Sequence, residues 1–251
     1  MTSSNQRDSA GELFGDPNEL ANLDVDLKNP LANAATEMFS YPWVRGVLSP
    51  KERALILLCL DASASQLEPS RLPQRISDAR AEGATDREIV TVLHLTSLMA
   101  CHSMSVGGLI LSDVLLERGE TSASGALNAE QEEAVRRFEE DGPVPRTMSD
   151  RLRTVMMLDP EHFNSMQTYI SKAYAATDVV SVRFAHLVCL AFDVAPTHLY
   201  EAGIRIHIKE ALDHGATTSE ILEVFQLASL RGWRSVAAGL NVLNSQAQAS
   251  E

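Results

Sequence analysis

The sequence predicts an all-α protein built by tandem duplication of one helical unit. Three observations carry this. Apolar residues recur with a period of 3.6 rather than 2 along the chain. Helix-start signals of the Ser/Thr-x-x-Glu type appear at matching places, Ser49 to Glu52, Thr85 to Glu88 and Thr217 to Glu220. Residues 48–111 also align with 180–243 at a constant offset of 132, without a gap and with 19 identities in 64 columns. The identities include Ser49/Ser181, Asp61/Asp193, Ala79/Ala211, Gly83/Gly215, Glu88/Glu220 and Gly107/Gly239. Unrelated helices rarely hold register over that length, which points to duplication.

The elements follow in order. Residues 1–20 are polar and read as an N-terminal tail, and 21–116 as the first repeat. A helical pattern over Pro30 to Phe39 precedes Ser49, an N-cap with Pro50 at the first helical position and the stripe Leu55, Leu58, Cys59, Ala62 behind it. A second helix runs from Pro73 to Glu82 and stops at Gly83, a left-handed cap. A third begins at Thr85, and a fourth covers Ser103 to Leu116. Residues 117–150 form a linker, with breaks at 118–127 and 141–145 around a charged helix from Ala129 to Glu140. Residues 151–243 make the second repeat, preceded by a helical pattern from Pro160 to Ala176, and 244–251 a C-terminal tail.

Composition narrows the class of function. A net charge of −13 argues against a nucleic-acid partner, which needs clustered Lys and Arg. No apolar run is read as approaching the roughly 20 residues of a membrane span. The N-terminal residues lack a signal-like apolar region, and Cys59, Cys101 and Cys189 form an odd set without C-x-x-C. A soluble cytoplasmic protein with free thiols is the expectation, without a membrane partner.

The run His207-Ile-Lys-Glu-Ala211-Leu-Asp-His-Gly215-Ala-Thr217, followed by Glu220-Ile221 and Val224 and a turn at Gly232, resembles the carboxymuconolactone decarboxylase family. That family shares its fold with alkyl hydroperoxidase D. The first repeat fits the same frame at Ala79, Gly83, Thr85, Glu88, Ile89 and Val92. The hydroperoxidase branch carries C-x-x-C-x-x-x-H. Its two Cys columns fall here on Tyr200 and Gly203 ahead of His207, and on Glu68 and Arg71 ahead of Arg75. Peroxide reduction by a dithiol needs two sulfurs in bonding reach, so that chemistry is disfavoured. The resemblance carries a catalytic His onto the second repeat alone, at His207, because the first has Arg75 in that column. The Tyr of the family's Y-x-G turn is replaced in Arg231-Gly232-Trp233.

The resemblance implies a cofactor-free lyase or isomerase acting on a small carboxylated lactone or related acid. His207 would be the general acid/base and Glu220 its orienting partner, a carboxylate fixing the imidazole tautomer. Glu220 has a second reading as a capping-box residue only, and Glu88 shares it, with Arg75 in position to pair with Glu88. Arg231, Trp233 and Arg234 would hold the substrate carboxylate at the site entrance, or the two arginines pair with surface acids instead. His94 and His102, eight apart, sit about 80° apart on a helix and make no one-face chelate. A metal site would need His186, His198 or His207 from other helices, and no metal or cofactor is assigned. Alternative functions are an alkyl hydroperoxidase D-like antioxidant protein, a non-catalytic assembly or binding protein and a His-ligated metal oxygenase. Two apolar stripes, Leu31-Ala34-Ala35-Met38 and Phe163-Met166-Ile170-Tyr174, suggest subunit contacts. The resemblance to six-unit assemblies makes this a homotrimer, a pseudo-hexamer.

Overall fold

The computed structural model describes residues 30–120, 126–140, 148–176, 178–236, 239 and 242. The two tails and the break at 141–145 lie outside them. Among the described residues every regular element is helical. In chain order these are α1 (Pro30–Arg45), α2 (Pro50–Ala62), α3 (Leu72–Ala81), α4 (Asp86–Ser97), α5 (Cys101–Glu117), α6 (Ala129–Glu140), α7 (Asp150–Leu158), α8 (Pro160–Ala175), α9 (Val182–Asp193), α10 (Glu201–Asp213) and α11 (Thr218–Ser229). Short 3₁₀ turns follow α4 and α11. Helix α7 had no counterpart in the sequence reading.

The local reasons match the sequence signals. Ser49 and Glu52 close a complete capping box on α2, as do Thr217 and Glu220 on α11. Gly83 and Gly215 take φ of +84° and +90°, where a side chain would be strained. In both turns the next amide returns to the helix: Ala84 N donates to Ala79 O and Ala216 N to Ala211 O, each at 2.8 Å.

The chain divides into two compact units. One comprises residues 1–96 and 182–251, the other 97–181. In the first, α9 packs on α2, α10 and α11, α2 on α3, and α11 on α1. Its core is the interior of α2 and α9, where Leu55, Ile56, Leu58, Leu187 and Leu190 are fully buried. Buried Glu223 on α11 ties in the α1–α2 connection. It accepts from Val47 N at 2.5 Å, Leu48 N at 2.8 Å and Arg53 Nε at 3.0 Å.

In the second unit α8 packs on α6 and α7, and α5 on α7. Phe138, Val155, Met156, Phe163 and Met166 form its core, with Ile170 packed against it. The stripe through Phe163 and Met166, read from sequence as a subunit contact, is therefore internal: Phe163 meets Phe138 at 5.9 Å between ring centroids. The membrane reading also needs correction. The continuous helical run Asp86–Glu117 is long and apolar enough, by length and composition, to cross a bilayer, because Ile89 to Ser112 carries no charged side chain. Core helices of water-soluble proteins pass the same test, so the run alone decides nothing.

Candidate active site

Two buried aspartates anchor the polar interior of the first unit. Asp61 ends α2 and Asp193 ends α9; they are 1% and 0% exposed. Each holds the chain that returns toward the next helix, Glu68 N donating to Asp61 O at 3.0 Å and Tyr200 N to Asp193 O at 2.9 Å. The backbone is thus alike at offset 132, while the side-chain partners of the two carboxylates differ completely.

Around Asp193 the partners are histidines. His207 Nε2 lies 3.7 Å from Asp193 Oδ2 and His198 Nε2 3.8 Å from Oδ1. On its other side the His207 ring presents Nδ1 to His186 Nδ1 at 3.0 Å. Burial pushes the Asp193 carboxyl up to about 8 and the His186 imidazole down to about 4, where nearby Glu210 opposes and His214 reinforces the shift. Burial also lowers His198. Gly203 makes room for this carboxylate. A Cβ there would stand 1.9 Å from Asp193 Oδ2 and 2.7 Å from Tyr200 Cδ1.

Around Asp61 the partners are arginines. Arg75 Nε meets Oδ2 at 2.6 Å, Arg231 reaches Oδ1 at 2.5 Å, and Arg234 also bonds Oδ1. Asp78 lies 3.6 Å from Arg75. Desolvation, with repulsion from Arg75, lowers Arg231 to about 9. Cys59 senses the charges of both centres, Arg231 lowering and Asp193 raising it, but burial dominates and pushes its thiol up to about 12. A thiol so far from ionisation is a poor nucleophile.

Of the residues expected from sequence, His207 falls in the first group, Arg231 and Arg234 in the second, and Glu220 and Trp233 in neither. His207 sits beside a carboxylate, but that carboxylate is not Glu220. Glu220 Oε2 accepts from Thr217 N at 2.7 Å and from its hydroxyl, and Oε1 binds Arg183 at 2.6 Å. Its capping and ion-pair partners take both oxygens, leaving orientation of His207 to Asp193 and His186. Arg75 likewise pairs with Asp61 rather than Glu88, which takes Lys51 at 2.7 Å. Arg231 and Arg234 converge on Asp61, not on His207. Trp233 is 8% exposed and packs against Phe39 at 5.4 Å, so it is part of the core rather than an entrance.

Sequence reasoning named Asp61 and Asp193 only as an identical column and His186 only as a possible metal ligand, not as the neighbours of Arg75 and His207. The signal for the aspartates was present as an identical column. Donors for a metal also gather beyond His186, where Glu210 and His214 on α10 bring ligand atoms to within 4.8 Å of one another.

No family model and no curated protein matches the chain. A solved structure does, with a TM-score of 0.86 at 29% identity, covering 98% of this chain and 97% of the other. It is the 1.70 Å crystal structure of a protein from Burkholderia xenovorans LB400, provisionally assigned as a gamma-carboxymuconolactone decarboxylase subunit. The fold of this chain is the decarboxylase-like helical fold.

Proposed function

We propose that this decarboxylase-like chain is a cofactor-free lyase or isomerase of the carboxymuconolactone decarboxylase type, acting on a small carboxylated lactone or related acid. We further read it as a duplicated unit that keeps its proton-transfer chemistry in the second copy only. One observation carries the reading: the buried carboxylate of one copy is flanked by imidazoles, and its counterpart by guanidiniums. Imidazole beside a carboxyl group moves protons near neutral pH, whereas guanidinium does not.

His207 is the general acid/base. At neutral pH Asp193, raised to about 8, retains its proton, while His186, lowered to about 4, is neutral. The 3.7 Å gap between His207 and Asp193 exceeds a hydrogen bond, and such contacts tighten when substrate excludes water. In decarboxylation the bond to the departing carboxylate breaks and CO2 leaves. The electron pair enters the adjacent carbonyl as an enolate, and His207 delivers a proton to carbon. Asp193 passes its proton to His207 as His207 gives up its own, then recovers one from water, so each turnover consumes one solvent proton. In an isomerisation His207 takes and returns the same proton.

One observation favours a non-catalytic reading. Arg231 and Arg234, the proposed carboxylate anchors, both bind Asp61. A substrate anion would have to compete with that carboxylate or use the surplus charge of three arginines around it.

CO2 release from a panel of carboxylated lactones tests the proposal. Turnover by the wild type and its loss in His207→Ala support it; no turnover of any panel member, or an unchanged kcat in the variant, removes it. For assembly we propose a trimer. Exposed Val106, Ile110, Leu111 and Val114 on α5 support it, now that the Phe163 stripe is internal. Light scattering reads the mass directly.

A further inference from the structure

Next to His207 lies a cluster of which the proposed reaction uses His186 but not Glu210 or His214. Glu210 and His214 are four apart on α10, which puts them on one face of the helix, the histidine as its C-terminal cap. His186 reaches them from α9, its ring 5.9 Å from that of His214 at an interplanar angle of 29°. One ligand atom from each of the three lies within 4.8 Å of the other two. The donors are held as metal-binding histidines usually are, with the second ring nitrogen occupied. His214 Nδ1 is 2.8 Å from the Glu210 carbonyl oxygen, and His186 Nδ1 faces His207 Nδ1 at 3.0 Å. Nε2 is then the nitrogen each ring would give a metal.

The arrangement belongs to one copy. At offset 132 the same columns hold Ala54, Asp78 and Glu82, with no imidazole among them. There the three line a cavity of about 210 Å³ together with Trp43, Arg53 and Arg75. A pair of helices with the same backbone plan has therefore gained two nitrogen donors on one side, while a carboxylate stands in the Glu210 column of both.

We propose that His186, Glu210 and His214 form a binding site for a divalent transition metal of the zinc class. Two imidazoles and one carboxylate suit Zn²⁺, Co²⁺ or Ni²⁺ and disfavour the all-oxygen preference of Ca²⁺ and Mg²⁺. Ligand bonds of about 2.0–2.2 Å require the donors to close together modestly. His214 is exposed and Glu210 half-buried, so both can swing inward; the Glu210 carboxylate gives up only a 3.5 Å contact from Lys209. Three protein ligands leave the ion a further position for water. The site shares His186 with the pair that flanks His207, so binding would bear on the proposed reaction. A metal on His186 Nε2 places the proton on Nδ1, which then donates to His207 Nδ1. His207 must in turn carry its own proton on Nε2, facing Asp193.

The untagged full-length protein, stripped with chelator, is titrated with Zn²⁺ by calorimetry and with Co²⁺ by visible absorption. The expected result is about one equivalent of tightly bound metal per chain, with the d–d bands of a low-coordinate nitrogen/oxygen site. His214→Ala and Glu210→Gln should each weaken binding by about tenfold or more. His198→Ala, which leaves the contact between His186 and His207 in place, should keep it, which separates this site from the donors around Asp193. Circular dichroism of the two ligand variants checks their folding. No stoichiometric binding by the wild type, or undiminished binding by both ligand variants, overturns the proposal. So does loss of binding in His198→Ala alone, which would put the metal elsewhere.

Discussion

Nδ1 of His186 and Nδ1 of His207 lie 3.0 Å apart, and two like nitrogens at that distance can share only one proton. Were both rings cationic, two N–H groups would face each other. The buried member, His186, is accordingly held neutral, pushed down to about 4 mainly by desolvation. The two rings are therefore placed to share one proton, with Asp193 behind His207.

His207→Ala should lower turnover by about 10²–10⁴-fold, the range that one positioned acid/base supplies. Glu220→Ala should leave kcat within a small factor and lower stability by about 1 kcal/mol through the lost cap. Steady-state kinetics with urea denaturation of both variants checks the pair. Equal loss of kcat in both would restore Glu220 as the orienting group.

The raised carboxyl of Asp193 makes a pH prediction. Its folded value of about 8 lies above the ordinary 3.8, so the folded state binds the extra proton between them. By linkage that contribution is fully present below about 4 and is lost as pH rises through about 8. Asp193→Asn, which cannot ionise, should gain in Tm relative to wild type as pH rises across that window and level off above it. His198 and His207 face the same carboxylate, so the measurement is repeated in His198→Gln to separate their titration. A Tm difference independent of pH would show that Asp193 is ionised throughout.

Removing the carboxylate at the other centre should cost more than removing any one arginine. Asp61→Asn leaves three guanidiniums around a neutral amide, and stranding buried charge typically costs about 3–5 kcal/mol. Arg75→Ala leaves Asp61 still paired to Arg231 and Arg234, so its loss should be smaller. Denaturant midpoints at constant m decide the order, and a larger loss for Arg75→Ala would reverse the assignment of the cluster's centre.

Two glycine replacements should move stability in opposite directions. Gly203→Ala drives a methyl into the Asp193 carboxylate and should destabilise by about 1–3 kcal/mol. Gly107→Ala on α5 meets nothing within 4 Å and should stabilise by about 0.5–1 kcal/mol through helix propensity. Thermal denaturation of the two variants reads both signs.

The helices were legible because their signals are local. The Ser49 and Thr217 boxes and the Gly83 and Gly215 stops each act within one turn of chain, and all appear in the structure. His207 stood out because one column differed between the copies. Asp193 did not, because a column identical in both copies reads as scaffold, and nothing in a sequence period says that a carboxylate will be buried. Of the two readings of Glu220 the cap is the one the structure shows, and its other partner, Arg183, stands 37 residues away and is brought to it only by the packing of α9 on α11. The Phe163 stripe failed for the same kind of reason. An apolar face shows that something covers it, but not whether the cover is the same chain.

The space above Gly203 also sets a limit on what this protein can become. In the dithiol enzymes whose pattern the second copy resembles, that column holds a sulfur; here a carboxylate oxygen occupies the volume where the side chain would begin. The two chemistries are therefore alternative tenants of one space, not functions that could be layered. A cysteine introduced at 203 alone would drive its Cβ into the Asp193 carboxylate. A path from this site to a dithiol must first move or remove the buried carboxylate beside His207.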